Sequence, residues 1–306
     1  MTHLALVGPT ASGKSDLALA AAHALGNVEI VSVDSMQVYR GLDIGTGKPT
    51  ARERATVPHH LIDVADPSED WSVARFQAAA RDAVADIDSR GKHALLVGGT
   101  GLYLQAVIDP LSFPPEDLSV RAECEAEVST PEGLTSAYAE LERVDPVAAA
   151  RIEPGNARRI VRALEVMRIT GQPFSSFGPG IQSYGDTVFS VSIVGLSMPS
   201  DVLARRIEQR FAAMREAGLV EEVRALAAHG ALSRSARQAI GYKEVLAYLE
   251  GSEPSLDAAL DEAVRHTLRF ARRQVRWFRR DPRITWVEAG ENPCDALPSL
   301  LALWSR

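Results

Sequence analysis

The chain has 306 residues and a formal net charge of −7, and 46% of its residues are apolar. This length suits one large domain or a core with an insertion, and the composition is ordinary for a globular protein. No run of about 18 apolar residues and no leader-like N-terminus occurs, so we expect a cytoplasmic protein without a membrane span. Cys124 and Cys294 stand far apart without partners at ligand spacing, which argues against a disulfide framework or a structural zinc site.

Short apolar runs alternate with helical patterns along most of the chain. Strands are predicted at residues 4–7, 28–33, 61–64, 94–97, 188–196 and 284–287. Helices are predicted at residues 15–25, 73–90, 120–129, 135–142, 157–170, 201–217, 220–229 and 256–280. The alternation predicts an α/β fold, with helices on both faces of a parallel sheet. Residues 111–184 lack a strong strand, so we predict a helical insertion domain there, within a core of residues 1–110 and 185–306.

The segment that follows the first strand fits the pattern G-x-x-x-x-G-K-[ST]. Its members are Gly8, Pro9, Thr10, Ala11, Ser12, Gly13, Lys14 and Ser15. Backbone N–H groups of such a loop and the N-terminus of the next helix attract phosphate oxygens. Lys14 adds a full charge, and the Ser15 hydroxyl can ligate Mg²⁺, which we expect as cofactor. The pattern therefore predicts a phosphate-binding loop in a P-loop NTPase-like sheet, without saying which reaction occurs there.

Two other strand ends carry candidate site residues. Asp34 follows a strand that we expect beside the phosphate-loop strand. Its carboxylate could bind a water molecule on Mg²⁺, act as a general base for a substrate proton, or cap a turn. Gly98-Gly99-Thr100 ends a third strand, where a nucleotide hydrolase would usually place an acid. Asp63 could substitute as that acid, although a structural role is favoured. Ligands bind beyond the carboxyl ends of parallel strands, so one site could gather these residues.

Arginines cluster in three places. Arg206 and Arg210 lie four residues apart on a predicted helix, beside Arg205, and one of them could clamp a departing phosphate. A second cluster, in the insertion, contains Arg151, Arg158, Arg159 and Arg162. The third lies along the last long predicted helix, residues 256–280. It contains Arg265, Arg269, Arg272, Arg273, Arg276, Arg279 and Arg280, and Trp277 and Phe278 lie among them. On an acidic chain the last two clusters favour nucleic acid as a partner.

Motifs in a fixed order along almost the whole chain resemble one family, the bacterial-type tRNA dimethylallyltransferases (tRNA isopentenyltransferases). The matching segments are 8–15, 32–39, 43–49, 58–61, 96–103, 145–146, 156, 159, 162–166, 238–244 and 272–274. Longer eukaryotic-type members carry a C-terminal zinc finger, and this chain has no such cysteine and histidine cluster.

The resemblance implies transfer of a dimethylallyl group from dimethylallyl diphosphate to N6 of the adenosine immediately 3′ of the anticodon in tRNA. It implies that the phosphate loop binds the diphosphate, that Asp34 is the base, and that Thr100, Lys14 and Arg210 assist. The implied tRNA contacts, made to the anticodon stem-loop, are Asp34, Ser35, Met36, Gln37, Thr100, Arg121, Arg158, Arg159, Ile160, Val161, Arg162, Gln238, Ala239, Ile240, Gly241, Tyr242 and Lys243. Nothing in the sequence demands more than a monomer.

Two other interpretations stay open on the residues alone. A small-molecule kinase would share the phosphate loop, Mg²⁺ and the parallel sheet, but it leaves Gly98-Gly99-Thr100 and the basic clusters unexplained. A nucleotide-switched RNA-binding module would need a metal-binding acid after a strand, and only Asp63 or Asp34 could serve. Transfer to tRNA without ATP would distinguish the prenyltransferase from both.

Overall fold

A computed structural model describes residues 2–177, 181 and 183–304. The chain divides into two compact units, the first made of Met1–Asp109 with Asp186–Arg306 and the second of Pro110–Gly185. Four residues of the segment predicted as an insertion, 178–180 and 182, lie outside the described part.

The first unit is built on one parallel sheet, which confirms the α/β prediction. Its strands are β1 (His3–Val7), β2 (Val28–Val33), β3 (His59–His60), β4 (His93–Gly98), β5 (Val191–Ser197) and β6 (Ile284–Glu288). Their order is β3-β2-β4-β1-β5-β6, and Gly98 at the end of β4 is level with both Val7 and Val33. The expectation that the strand before Asp34 lies beside β1 is therefore wrong, because β4 enters between them.

Helices cover both faces of the sheet. In the first unit they are α1 (Lys14–Leu25), α2 (Ala51–Thr56), α3 (Val73–Ser89), α4 (Gly101–Ile108), α9 (Ser200–Glu216), α10 (Leu219–His229), α11 (Arg234–Arg237), α12 (Tyr242–Leu249), α13 (Leu256–Phe278) and α14 (Leu297–Trp304), with a 3₁₀ turn at Pro293–Ala296. Those of the second unit are α5 (Leu118–Glu127), α6 (Pro131–Val144), α7 (Pro146–Ala149) and α8 (Ala157–Thr170), with a 3₁₀ turn at Phe174–Phe177. Across the described ranges, each helix is too short or too polar to span a bilayer.

The strands read as continuous apolar runs because both faces of the sheet are buried. In β1, Leu4 and Leu6 pack with α1 and α14, whereas Ala5 and Val7 belong to the core on the opposite face, with α3, α4, α9, α10, α12 and α13. Full burial of one leucine side chain stabilises the fold by roughly 1.5–3 kcal/mol. The two cores hold the strand ends in place and so fix the edge at which the loops after β1, β2 and β4 meet.

Several elements differ from the prediction for identifiable reasons. The strand predicted at 61–64 is wrong: β3 ends at His60, because Leu61 and Asp63 adopt left-handed backbone angles, with φ of 62° and 59°. The strand predicted from residue 188 begins only at Val191. Helix α4 was not predicted, since its apolar residues surround it and leave no 3.6-residue pattern.

The second unit has its own core between α5, α6, α7 and α8. Asn156 caps the start of α8, and Gly171, with φ of 67°, ends that helix after Thr170 as the sequence predicts. Ile160 and Leu164 lie on its buried face, one turn apart. The unit therefore buries apolar surface of its own.

Candidate active site

The phosphate loop joins the end of β1 to the start of α1, as the motif requires. Gly8 has φ of 154°, and a Cβ there would lie 2.7 Å from the Leu196 carbonyl oxygen. Gly13 has φ of 82° and directly precedes Lys14, the first helical residue. Both conformations favour glycine, so the two motif glycines follow from the backbone path and the close approach of β5.

Lys14 is buried beneath its own loop. Its Nζ donates a hydrogen bond to the Pro9 carbonyl oxygen at 2.6 Å. Burial lowers the pKa of Lys14 to about 7, against the opposing effect of the nearby Asp34 charge, while the charge of Arg210 lowers it further. A bound anion would favour the charged form of this amine, so the site is electrostatically prepared for phosphate.

A cavity of about 580 Å³ opens at the carboxyl edge of the sheet in front of this loop. The loop residues that line it are Thr10, Ala11, Gly13, Lys14 and Ser15. The other polar or charged side chains on its wall include Asp34, Gln37, Arg206, Gln209, Arg210 and Gln274. Gly98 and Gly99 also line it, but Thr100, the next residue, does not and instead precedes the first residue of α4.

Asp34 points one carboxylate oxygen at its own turn. Oδ1 accepts the backbone N–H groups of Met36 at 2.8 Å and Gln37 at 3.3 Å, which is the capping role that the sequence left open. Among the described residues, no hydrogen bond uses the second oxygen. Because Asp34 lines the cavity, this second oxygen can accept a proton from a bound substrate.

The Gly98-Gly99 turn lies between Asp34 and the phosphate loop, and it lines the cavity with both of them. A Cβ at Gly98 would overlap the carbonyl of Val33, and one at Gly99 would overlap the amide of Gln274. Gln274 is buried on α13; its Oε1 accepts the Thr10 N–H and its Nε2 donates to the Gly99 carbonyl, both at 2.9 Å. It thus ties the phosphate loop to the end of β4.

Sequence reasoning missed this role of Gln274. Gln274 belongs to the segment 272–274 that resembles the family, and the sequence alone assigns it no role. The sequence does hold a signal for this role. Gln274 lies three and four residues from Ala271 and Phe278 on a basic helix, and both of these apolar residues are buried.

Two arginines of α9 face the cavity, as their spacing predicts. Arg206 donates from Nε to the Ala11 carbonyl oxygen at 2.8 Å and so braces the phosphate loop. Arg210 is half-buried; burial lowers its pKa, and the Asp34 charge opposes that shift. Arg205 lies outside the cavity lining and pairs with Asp201 at 3.0 Å on the exposed face. Arg210 is therefore the cation that faces both Asp34 and Lys14.

Asp63 has the structural role that we favoured. Its carboxylate binds Lys48 at 2.6 Å and Arg54 at 2.7 Å. Across residues 2–177, 181 and 183–304, no group of three or more histidine, cysteine, aspartate or glutamate side chains is arranged to hold a metal ion.

The residues from Gln238 to Lys243 divide between surface and interior. Gln238 is exposed, Ile240 and Lys243 are half-buried, and Ala239, Gly241 and Tyr242 are buried. The Tyr242 hydroxyl donates to Glu222 and accepts the N–H of Gly45, so it is engaged inside the protein.

In the second unit, the residues expected to contact tRNA also differ in exposure. Arg158 and Arg159 are exposed, whereas Ile160 and Val161 belong to the core of the unit.

Arg121 and Arg162 flank the fully buried Glu165, at 3.0 and 2.9 Å, and Arg162 also donates to the carbonyls of Pro114 and Pro115. Sequence reasoning did not foresee this ion-pair cluster.

The last long helix, α13, presents an arginine surface. Three arginines of the helix and two just after it are exposed and pair with no carboxylate of the described residues: Arg272, Arg273 and Arg276 on the helix, and Arg279 and Arg280 after it. Arg265 and Arg269 instead pair with Glu262. The surface is therefore most basic near the end of the helix, where Arg280 also stacks on Trp277.

Comparison with known proteins shows which family the chain resembles. The sequence matches the IPP transferase family model over residues 37–281 and the isopentenyl transferase family model over residues 1–63. It is 49% identical to a tRNA dimethylallyltransferase of Kineococcus radiotolerans, over 98% of this chain and 95% of that protein.

Two solved structures share the fold. A tRNA isopentenylpyrophosphate transferase from Bacillus halodurans has a TM-score of 0.72 and 40% identity, covering 99% of this chain and 95% of that one. A eukaryotic dimethylallyltransferase described as acting on tRNA has a TM-score of 0.81 and 26% identity, covering 98% of this chain and 77% of its own. The phosphate loop, the Asp34 turn and the full-length similarity lead to one conclusion: the chain belongs to the IPP transferase family, that of the tRNA dimethylallyltransferases.

Proposed function

We propose that the chain transfers the dimethylallyl group of dimethylallyl diphosphate to N6 of the adenosine immediately 3′ of the anticodon in tRNA. The observation that carries this proposal is the single cavity that the phosphate loop, the Gly98-Gly99 turn and Asp34 line together. In a substitution reaction, the anion-binding loop would hold the diphosphate leaving group. The carboxylate of Asp34 would accept the proton that the attacking amine loses.

The phosphate loop would stabilise the leaving group. As the bond between the allylic carbon and the bridging oxygen breaks, negative charge develops on the diphosphate. Residues of the phosphate loop, among them Lys14, line the cavity together with Arg210, and their positive charge would stabilise that negative charge. A single well-placed donor of this kind is typically worth roughly 3–4 kcal/mol of transition-state stabilisation.

Asp34 would act on the other substrate. The N6 amine of adenine is a weak nucleophile, because its lone pair is delocalised into the ring. As the new N–C bond forms, N6 loses a proton, which the free oxygen of Asp34 would accept. Alignment of the two bound substrates adds an entropic contribution, up to about 7–11 kcal/mol in ideal cases. The products are the N6-alkylated adenosine and intact diphosphate.

Mg²⁺ fits the donors available near the phosphate loop. The Ser15 hydroxyl lines the cavity, and Mg²⁺ is commonly held by one or two protein oxygens together with substrate phosphates and water. When bound, the ion would neutralise charge on the diphosphate. Ser15 would hold it, while Lys14 and Arg210 contact the remaining phosphate oxygens.

The tRNA contacts are proposed from exposure and charge. Arg158 and Arg159 in the second unit, and the arginine surface at the end of α13 in the first, are exposed cations suited to phosphates of an anticodon stem-loop. The target adenine must leave its stack to reach Asp34, which the unpaired bases of an RNA loop allow. We propose that the protein works in the cytoplasm as a monomer.

A transfer assay without ATP tests the function directly. Purified protein is incubated with undermodified tRNA, dimethylallyl diphosphate and Mg²⁺, and the tRNA is digested and analysed by mass spectrometry. The proposal predicts one dimethylallyl group on a single adenosine next to the anticodon. An unmodified tRNA, or phosphorylation that appears only with ATP, would contradict it.

A further inference from the structure

One loop of the cavity wall is held from outside the cavity by two side chains of the helical layer. Glu222, on α10, accepts the backbone N–H groups of Asp43 at 3.1 Å, Ile44 at 2.8 Å and Gly45 at 3.3 Å. Tyr242, the first residue of α12, donates its hydroxyl to Glu222 at 2.5 Å and accepts the Gly45 N–H at 3.1 Å. Three consecutive amides thus share one carboxylate, a charge-assisted arrangement stronger than neutral hydrogen bonds.

The contact at Gly45 is tight as well as polar. A Cβ on Gly45 would overlap the ring of Tyr242, so only glycine allows this approach. Tyr242 is 1% exposed, and burial raises the pKa of its hydroxyl, which therefore remains a donor to Glu222. The loop is consequently fixed at one place by both a carboxylate and an aromatic ring.

The next residues of the same loop reach the catalytic carboxylate. Gln37 donates from Nε2 to the carbonyl oxygens of Thr46 at 3.2 Å and Gly47 at 3.3 Å. The backbone N–H of Gln37 in turn binds Asp34 Oδ1 at 3.3 Å. Gly47 also packs against the guanidinium of Arg210, where a Cβ would lie 2.7 Å from Nη2. A continuous set of contacts therefore links the loop to both groups that face the substrates.

We propose that Glu222 and Tyr242 are positioning residues for dimethylallyl transfer, acting on Asp34 and Arg210 through the loop of residues 43–47. Neither side chain lines the cavity. The inference rests on the proposed function, and it gives Tyr242 a role different from the tRNA contact that the sequence resemblance implies.

Two substitutions and two matched controls test this role. Glu222→Gln weakens the acceptor for the three amides, and Tyr242→Phe removes the hydroxyl while keeping the ring. Glu221→Gln, at an exposed neighbour whose nearest cation is Arg224 at 3.7 Å, and Tyr248→Phe, on the same helix as Tyr242, serve as controls. The full chain is used throughout, and the readouts are kcat, the KM for each substrate, the Kd for tRNA and amide exchange of residues 43–47.

The first two variants should lower kcat about 10- to 100-fold, since small misplacements of catalytic groups have effects of that size. Their Kd for tRNA should stay within twofold of wild type, exchange at residues 43–45 should accelerate, and both controls should match wild type. A weaker tRNA affinity with unchanged kcat would overturn the proposal and make Tyr242 a binding residue. Unchanged kcat and unchanged exchange would overturn it too.

A double-mutant cycle shows whether the effect passes through Gln37. If it does, Glu222→Gln should have little further effect on kcat in a Gln37→Ala background. Fully additive losses would contradict the path through Gln37. A wild-type protein that transfers nothing would contradict the proposed function itself, whereas the exchange measurement would still report whether Glu222 holds the loop.

Discussion

Asp34 caps a turn in the structure, and under the proposed function it is also the base. Its Oδ1 caps the turn at Met36 and Gln37, the residue lines the cavity, and no hydrogen bond among the described residues uses its other oxygen. The sequence offered turn cap and general base as alternatives, and the geometry allows both at once. A substitution that keeps the turn cap and removes the basic carboxylate therefore tests the proposed base separately from the fold of the turn.

Asp34→Asn should abolish most of the transfer and preserve the turn. The amide oxygen can still accept the two backbone N–H groups, but the side chain can no longer take up the N6 proton. General-base catalysis typically contributes about 10²- to 10⁴-fold, and kcat should fall by that order while the Kd for tRNA is retained. Single-turnover kinetics at saturating substrates measures this. Turnover like that of the wild type would remove Asp34 as the base.

Lys14 should make binding of inorganic diphosphate depend on pH. Burial lowers the pKa of its amine to about 7, and a bound anion favours the charged form and raises that pKa again. The amine is already charged below pH 7, so affinity is highest there. It should weaken by up to about tenfold per pH unit above 7, until the pKa of the complex is reached.

The ratio of diphosphate affinities between wild type and Lys14→Arg, measured by calorimetry from pH 6 to 9, isolates this effect. Arginine stays charged over the whole range, and the titration of diphosphate itself is common to both proteins. A ratio that does not change with pH would contradict the role of Lys14.

At the scale of elements, most strands and the long helices followed from the sequence, as did the phosphate loop, but the segment after β3 did not. Buried apolar runs located β1, β2 and β4, and the amphipathic pattern located α8 and α13. Leu61 and Asp63 adopt left-handed angles, and Asp63 forms ion pairs with Lys48 and Arg54, which lie 15 and 9 residues earlier in the chain. Local propensity cannot report such contacts.

Helix α8 carries a buried ion-pair centre of the second unit. Glu165 is fully buried between Arg121 and Arg162, which are 27% and 23% exposed. Glu165→Ala would leave both cations without their shared partner and should reduce the free energy of unfolding by about 2–4 kcal/mol, allowing for that partial exposure. Urea unfolding measures this. Glu140→Ala, at an exposed pair 3.7 Å from Arg168, is the control, and a loss below about 1 kcal/mol for Glu165→Ala would refute the prediction.

The exposed arginines at the start of α8 should act on tRNA affinity alone. Replacing Arg158 and Arg159 together with alanine should reduce the slope of log K against log salt concentration by about 2. The KM for dimethylallyl diphosphate should not change. Fluorescence titrations with tRNA between low and moderate salt provide the slope, and an unaltered slope would exclude these two side chains as phosphate contacts.

At the scale of the whole molecule, the sequence indicated which residues meet, but not how they are held. It gathered the phosphate loop, Asp34 and the Gly98-Gly99 turn at one sheet edge, and the structure places all three on one cavity. It did not foresee β4 between β1 and β2, because strand order depends on crossover connections. Nor could it foresee Gln274 on the phosphate loop, since that contact joins residues 264 positions apart.

The central claim is that the phosphate loop holds a leaving group and that no phosphoryl group is transferred. Its most direct test is the stoichiometry of phosphate release during transfer to undermodified tRNA, with dimethylallyl diphosphate and no ATP. The account predicts one intact diphosphate for each dimethylallyl group attached, and a strong loss of both in Lys14→Ala. Release of monophosphate, or a requirement for ATP, would contradict it.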